Sequence, residues 1–209
     1  EMFDQLLLLL RAKKHNPGSA EKFKRGLCGR LNYTYEKNLL FNADAVLRAY
    51  CSQPSQVRAA IRKRASTMAR GMCEFQKKRI ETFADQNRYS HYVAGVIGYL
   101  FNDLLYYNRI ISRALKRKLR KYARHFGLAL QNVNILRDIA HDIGSKRHYW
   151  PAALIAKYRL SYDSLCLKEN REAAMKVLRE QIRNAQNYLV SAMKYVLMLP
   201  QKALRVRMF

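Results

Sequence analysis

Turn-forming residues are scarce in this chain, and that scarcity limits what it can fold into. Its 209 residues include 8 Gly and 4 Pro, and no proline falls between Ser55 and Trp150. An all-β domain asks for turn residues about every 8–12 positions, so that class is disfavoured. The apolar residues instead recur at helical spacing. Met68, Gly71, Met72 and Phe75 stand at i, i+3, i+4 and i+7 and share one helix face. With 49% hydrophobic residues the chain is too apolar for a disordered basic tail, and its length suits one ordinary domain.

Helical segments are predicted over 55–83, 88–107, 109–125 and 126–143, the last ending at Gly144 as a C-cap. A turn follows over Gly144–Pro151, then a long amphipathic helix over 169–198 that Pro200 stops. Two or three helices are expected in the first 50 residues, with a break at Asn16-Pro17-Gly18-Ser19. No internal repeat or strand pair is evident, so residues 1–209 read as a single all-α domain. The longest apolar run, Leu6–Leu10, is far too short to span a bilayer. Its cationic neighbours Arg11, Lys13 and Lys14 follow it, unlike those of a signal peptide. Cys28, Cys51, Cys73 and Cys166 form no CxxC pair, which points to a reducing compartment and away from a zinc or disulfide framework.

Lysine and arginine number 40 against 15 acids, a formal charge of 40 − 15 = +25. Such a charge draws polyanions, anionic lipid or phosphates, or it is simply a solvated surface. The stretch Leu104–Arg137 holds nine basic residues and no acid. Arg113, Arg117, Arg120 and Arg124 share a face there. The stretch lacks the aromatic or glycine-rich signature of an RNA module. A solvated or phospholipid-facing surface is therefore the preferred reading, and no specific nucleic-acid partner is expected.

Chemistry concentrates in Gln131-Asn-Val-Asn134-Ile-Leu-Arg137-Asp138-Ile-Ala-His-Asp142. On a helix Gln131, Asn134, Asp138 and Asp142 fall within an arc of about 80°. Val133, Leu136 and Ala140 cover other faces. Carboxylates in an apolar helix are costly unless paired or metal-bound, and two of them one turn apart suit Mg²⁺ and a phosphate substrate. Arg137 adds a cation for a diphosphate oxygen. The competing reading is an ordinary surface acid pair, which the two amides on the same face oppose. His141 lies at the edge of that face and reads as a peripheral or packing residue. A second apolar segment, His91–Gly98, places Tyr92, Gly95, Val96 and Tyr99 on one face. Glycine inside a helix costs about 1 kcal/mol relative to alanine. Gly95 and Gly98 therefore mark the close approach of either another helix or a long apolar ligand.

HYVAGVIG at 91–98, ALQNVNILRDIAHDIGSKRHYWP at 129–151 and GMCEF at 71–75 closely resemble the squalene/phytoene synthase family, nearest its squalene synthase branch. In order and spacing the matches span roughly residues 55–160, and NxxRDxxxD is the most specific of them. The resemblance implies an isoprenoid synthase fold, a helical bundle around a central cavity. It implies a Mg²⁺-dependent transferase that joins two farnesyl diphosphates head-to-head through a cyclopropyl diphosphate, in sterol, hopanoid or carotenoid biosynthesis. By match, Asp138 and Asp142 would hold Mg²⁺, and Gln131, Asn134, Arg137 and Arg147 would bind diphosphate. Tyr92 would be catalytic, since a phenol in an apolar cavity can donate to the leaving group and its ring can stabilise a cation. NADPH is a second candidate cofactor. The expected partner is a prenyl diphosphate bound by a monomer in the cytoplasm, with peripheral membrane contact (the cytosolic face of the endoplasmic reticulum in a eukaryote). Phytoene or dehydrosqualene synthesis, or a non-catalytic assembly role, are the alternatives.

One departure matters. The family's first aspartate-rich motif has no counterpart in residues 1–60. Glu1-Met-Phe-Asp4 resembles the sequence just after it, and Leu204–Phe209 the start of a following helix. The expectation is an internal fragment, or a relative without the first motif, that supplies half of a metal site and does not turn over alone.

Overall fold

The computed structural model describes residues 2–12, 14–28 and 34–203, and the expectations for Glu1 and for Leu204–Phe209 lie outside them. Contacts cluster in two units, Glu1–Ser66 and Thr67–Phe209. No strand occurs among the described residues, and no described helix is long and apolar enough to cross a membrane.

The first unit contains α1 (Met2–Leu9), α2 (Pro17–Cys28), α3 (Thr34–Phe41), α4 (Ala43–Cys51) and the start of α5 (Ser55–Lys77). Four helices thus precede residue 52 where two or three were expected. The expected break between helices falls over residues 10–16, and Pro17 opens α2. The Asn16 side-chain oxygen accepts from the Gly18 and Ser19 amides at 3.0 and 3.4 Å, and proline at the first helical position forfeits no hydrogen bond. Leu10, Ala20, Leu47 and Tyr50 form the core. The buried Tyr50 hydroxyl donates to the Leu10 carbonyl at 2.6 Å.

The second unit continues through α6 (Phe83–Ser90), a π-helical turn (His91–Gly95), α7 (Val96–Tyr107), α8 (Arg113–Arg137), α9 (Ile139–Gly144), α10 (Ala152–Lys157) and α11 (Arg171–Leu197). A capping box starts α6: the Thr82 hydroxyl accepts from the Asp85 amide at 3.2 Å, and the Asp85 carboxylate accepts from the Thr82 amide at 3.1 Å. Ser112 caps α8 by accepting from the Leu115 amide. The two helices expected over 109–125 and 126–143 are one continuous helix to Arg137, because nothing between Arg113 and Arg137 interrupts the backbone ladder.

Helix α8 is the axis of this unit and packs against both α7 and α11. Leu105, Ile111, Leu119 and Tyr195 form one core cluster around its first half. Ile135, Trp150, Ile155 and Val177 form another around its last turns. Between them lies a buried amide cluster. The Asn184 side-chain nitrogen donates to Asn87 at 3.2 Å and to Asn132 at 3.3 Å, and Asn87 donates back to Asn184 at 3.1 Å. Paired amides of this kind fix the rotation of three helices about their axes, since a slip would leave several unsatisfied at once.

The glycine alternatives resolve toward helix packing at the α7–α8 crossing. A Cβ on Gly98 would lie 1.8 Å from the Ala123 carbonyl oxygen, and one on Gly127 would lie 2.1 Å from that of Ala94. The two backbones touch, and only glycine permits it.

Candidate functional site

Beside that crossing runs a groove of about 350 Å³ whose walls include Ala94, Ile97 and Phe101 on one side and Phe126, Leu130, Gln131 and Asn134 on the other. Its lining is apolar except for the two amides. They sit at half-buried positions on α8, two turns and one turn short of Asp138.

The acid pair straddles a helix break that the sequence does not announce. Asp138 leaves the helical region at φ −96°, ψ 9° and separates α8 from α9. The turn-to-turn bonds nevertheless persist: the Asp138 amide donates to Asn134 O at 2.9 Å, and the Asp142 amide donates to Asp138 O at 2.9 Å. Asp138 and Asp142 therefore stay one turn apart, as the spacing predicts.

Their environments differ. Asp138 is partly exposed and accepts a two-pronged contact from Arg137, Nε at 2.7 Å and Nη2 at 2.8 Å. Those hydrogen bonds hold its carboxyl below the usual carboxylate range. Asp142 is buried, only 8% exposed. Burial pushes its carboxyl up, and the neighbouring Asp138 charge pushes the same way, against weaker opposition from His141 and Arg147. Two adjacent carboxylates, one of them desolvated and raised, are a donor set for a hard cation, and the residues fit Mg²⁺ on that ground. Among the described residues no group of three or more His, Cys, Asp and Glu gathers around a metal position. These two would hold the ion together with water and phosphate oxygens.

The segment after α9 brings Arg147 to the same place. Lys146 takes a left-handed φ of 54°, which turns the chain so that the Arg147 amide donates to Asp142 O at 2.7 Å. The Arg147 side chain is exposed. Trp150 then anchors the turn to α8, its indole nitrogen donating to the Ile135 carbonyl at 3.1 Å in the core. The Tyr162 hydroxyl in turn donates to the Trp150 carbonyl.

Tyr92 lies in the π turn, with its ring against Gly71, where a Cβ would meet Tyr92 Cγ at 2.0 Å. It does not share a face with Gly95, as a regular helix would have it. Gly95 faces Leu128 of α8, because the wider turn rotates the two residues apart. Nor does Tyr92 line the groove with Gln131. It connects to the acid pair through aromatic rings: Phe75 lies 6.3 Å from Tyr92 and 5.5 Å from Tyr89, and Tyr89 stacks on Tyr149 at 4.9 Å. The Arg88 guanidinium, paired with Glu74 at 3.0 Å, reaches the Tyr92 hydroxyl at 3.5 Å.

Tyr89 and Tyr149 were not anticipated. Burial, the hydrogen bond between them and the Asp142 charge all push the Tyr89 phenol up, so it remains a neutral donor next to the buried carboxylate. The available signal was position: Tyr89 precedes Tyr92 by three residues, and Tyr149 follows Arg147 by two. His141 is exposed, at the edge of the site.

Residues 16–209 match the family model described as squalene/phytoene synthase. The squalene synthase of Schizosaccharomyces pombe is 30% identical over 168 residues, 77% of this chain and 36% of that protein. That of Dictyostelium discoideum is 30% identical over 161 residues, 77% of this chain and 38% of that protein. Squalene synthase 3 of Panax ginseng is 30% identical over 172 residues, 81% and 40%. Among solved structures, the complex of TcSQS with ligand BPH1237 superposes with a TM-score of 0.77 at 26% identity, covering 95% of this chain and 63% of that one. The chain thus spans about two-fifths of the length of the curated relatives it matches.

Proposed function

The chain belongs to the squalene/phytoene synthase family, and from that membership we propose that it forms the diphosphate-binding wall of a squalene synthase-like prenyltransferase. The reaction is the head-to-head joining of two farnesyl diphosphates through a cyclopropyl diphosphate. The observation that carries this reading is the order, along α8 and on into α9, of an apolar groove, two amides and two carboxylates, the second of them buried. An amphipathic ligand with a long apolar tail and a compact anionic head matches that order.

Gln131 and Asn134 present amide donors where the groove ends, and would orient the first phosphate. Asp138 and Asp142 would hold Mg²⁺, which when bound supplies positive charge to the departing diphosphate. Arg137 now satisfies Asp138 and would turn to a phosphate oxygen once a cation takes its place. Arg147 lies close enough to act on the Asp142 charge and would contact the second phosphate. The apolar walls at Ile97, Phe101 and Leu130 would exclude water from the allylic cation. Tyr92, with its ring and hydroxyl near Arg88, would serve a later proton or cation step.

The test is calorimetric titration of the 209-residue chain with farnesyl diphosphate, with and without Mg²⁺. Binding is expected to require Mg²⁺ and to vanish in Asp138→Asn/Asp142→Asn. Equal binding by that variant would mean that net positive charge alone captures the anion, and the reading would fail.

A further inference from the structure

The first half of α8 has no part in the site above, yet it is densely basic. Seven of the twelve residues Arg113–Arg124 are basic, and no acid occurs between Leu104 and Arg137. Helix geometry places Arg113, Lys116, Arg117, Arg120, Lys121 and Arg124 within an arc of about 140°. Leu119 and Ala123, both 0% exposed, lie just beyond the Lys116 edge of that arc and mark where the helix turns into the core. Arg113, Arg117, Lys118, Arg120 and Lys121 are exposed, and no ion pair engages them among the described residues. Lys116 pairs with Asp103 at 2.8 Å.

Tyrosines are interleaved with these cations in a particular way. The Lys116 ammonium lies 4.5 Å from the Tyr106 ring and 4.9 Å from that of Tyr107. Arg120 lies 5.1 Å from the Tyr99 ring, and Lys121 lies 4.8 Å from that of Tyr122. A single-stranded nucleic acid binds by stacking bases on open aromatic faces, and here the protein's own cations take those faces. Tyrosine beside lysine or arginine is instead what the headgroup level of a bilayer favours, where a cation can sit among phosphates.

We infer that the basic half of α8 is a docking surface for an anionic phospholipid bilayer, with the exposed cations on lipid phosphates and carboxylates, while Tyr99, Tyr106 and Tyr122 pack against the core beneath them and hold those cations in place. The inference stands on charge and aromatic placement and does not depend on the prenyl diphosphate reading.

The experiment is co-sedimentation of the chain with two kinds of vesicle, pure phosphatidylcholine and the same lipid with about one-third phosphatidylserine. Three proteins are compared: wild type, Arg113→Gln/Arg117→Gln/Lys121→Gln, and a charge-matched control, Lys168→Gln/Arg171→Gln/Lys176→Gln, whose exposed positions lie in the 3₁₀ turn before α11 and in its first two turns. All six side chains are at the surface, and circular dichroism checks that both variants fold. Wild type and control are expected to bind the phosphatidylserine vesicles alike, and the α8 variant roughly a hundredfold more weakly, about fivefold per cation removed. Neutral vesicles should retain neither, and added salt should release the bound protein. Equal loss in the control would overturn the inference, because net charge rather than this face would then be responsible. So would undiminished binding to neutral vesicles. A parallel filter-binding arm with single-stranded polyuridine supplies the third refutation, namely RNA binding tighter than vesicle binding and abolished only by the α8 substitutions.

Discussion

Gly98→Ala tests the α7–α8 crossing that forms the groove. The added Cβ would lie 1.8 Å from the Ala123 carbonyl oxygen and 2.8 Å from its carbon, whereas ordinary contact begins at 3.4 Å. The helices must part by about 3.4 − 1.8 = 1.6 Å, and no side chain can rotate to relieve the clash because the obstructing atoms are backbone. Overpacking of a tight core costs about 1–3 kcal/mol, and a backbone-to-backbone clash belongs at the upper end. Alanine returns about 1 kcal/mol of helix propensity, which leaves a net loss of about 2 kcal/mol. For a chain of this size that lowers the melting temperature by about 4–8 °C. Gly144→Ala is the control: no heavy atom lies within 4 Å of its Cβ position, and its φ is not positive. It should leave stability unchanged or raise it by up to about 1 kcal/mol. The assay is thermal and urea unfolding followed by circular dichroism. If Gly98→Ala unfolds within about 0.5 kcal/mol of wild type, the helices do not meet as described and the groove's walls are misplaced.

Asp142→Asn should stabilise the chain at neutral pH while removing metal-dependent binding. The folded-state carboxyl is raised above its ordinary value by burial and by Asp138, so its favourable contribution exists below pH 3.8 and is lost as the pH rises through the folded pKa. Melting curves of the two proteins should therefore agree below pH 3.8 and diverge upward, the variant melting higher. A variant that melts lower at pH 7 would show that Asp142 is paired rather than strained. Asn184→Ala should lose about 2–3 kcal/mol in urea unfolding, since it strips partners from Asn87 and Asn132 in the buried cluster. A loss under about 1 kcal/mol would mean that these amides find water.

The one-turn spacing of the acid pair was legible in the sequence because the i→i−4 bond from Asp142 to Asp138 survives the break between α8 and α9. The break itself was not legible. Neither Gly nor Pro stands there. What stabilises it is tertiary and very local: the Trp150 indole takes the Ile135 carbonyl, and Arg137 folds onto Asp138. Tyr89 and Tyr149 escaped notice for the same reason, since their stacking depends on where Trp150 pins the turn. Glycines 95 and 98 announced a close approach, but only the partner's backbone could show that it was a helix. In the first unit the break between helices falls over residues 10–16, and Pro17–Ser19 belong to α2, because proline is accommodated at a helix's first position.

The central claim is that Asp138 and Asp142 hold a divalent cation against a diphosphate. Mn²⁺ in place of Mg²⁺ broadens amide signals of nearby residues in a nitrogen-15-labelled sample, and so maps the ion directly. With farnesyl diphosphate present, broadening is expected at Asn134, Asp138, Asp142 and Arg147, with little at Asp103 or Asp163, and it should disappear in Asp138→Asn/Asp142→Asn. Broadening spread over all surface acids, or unchanged in that variant, would contradict the account.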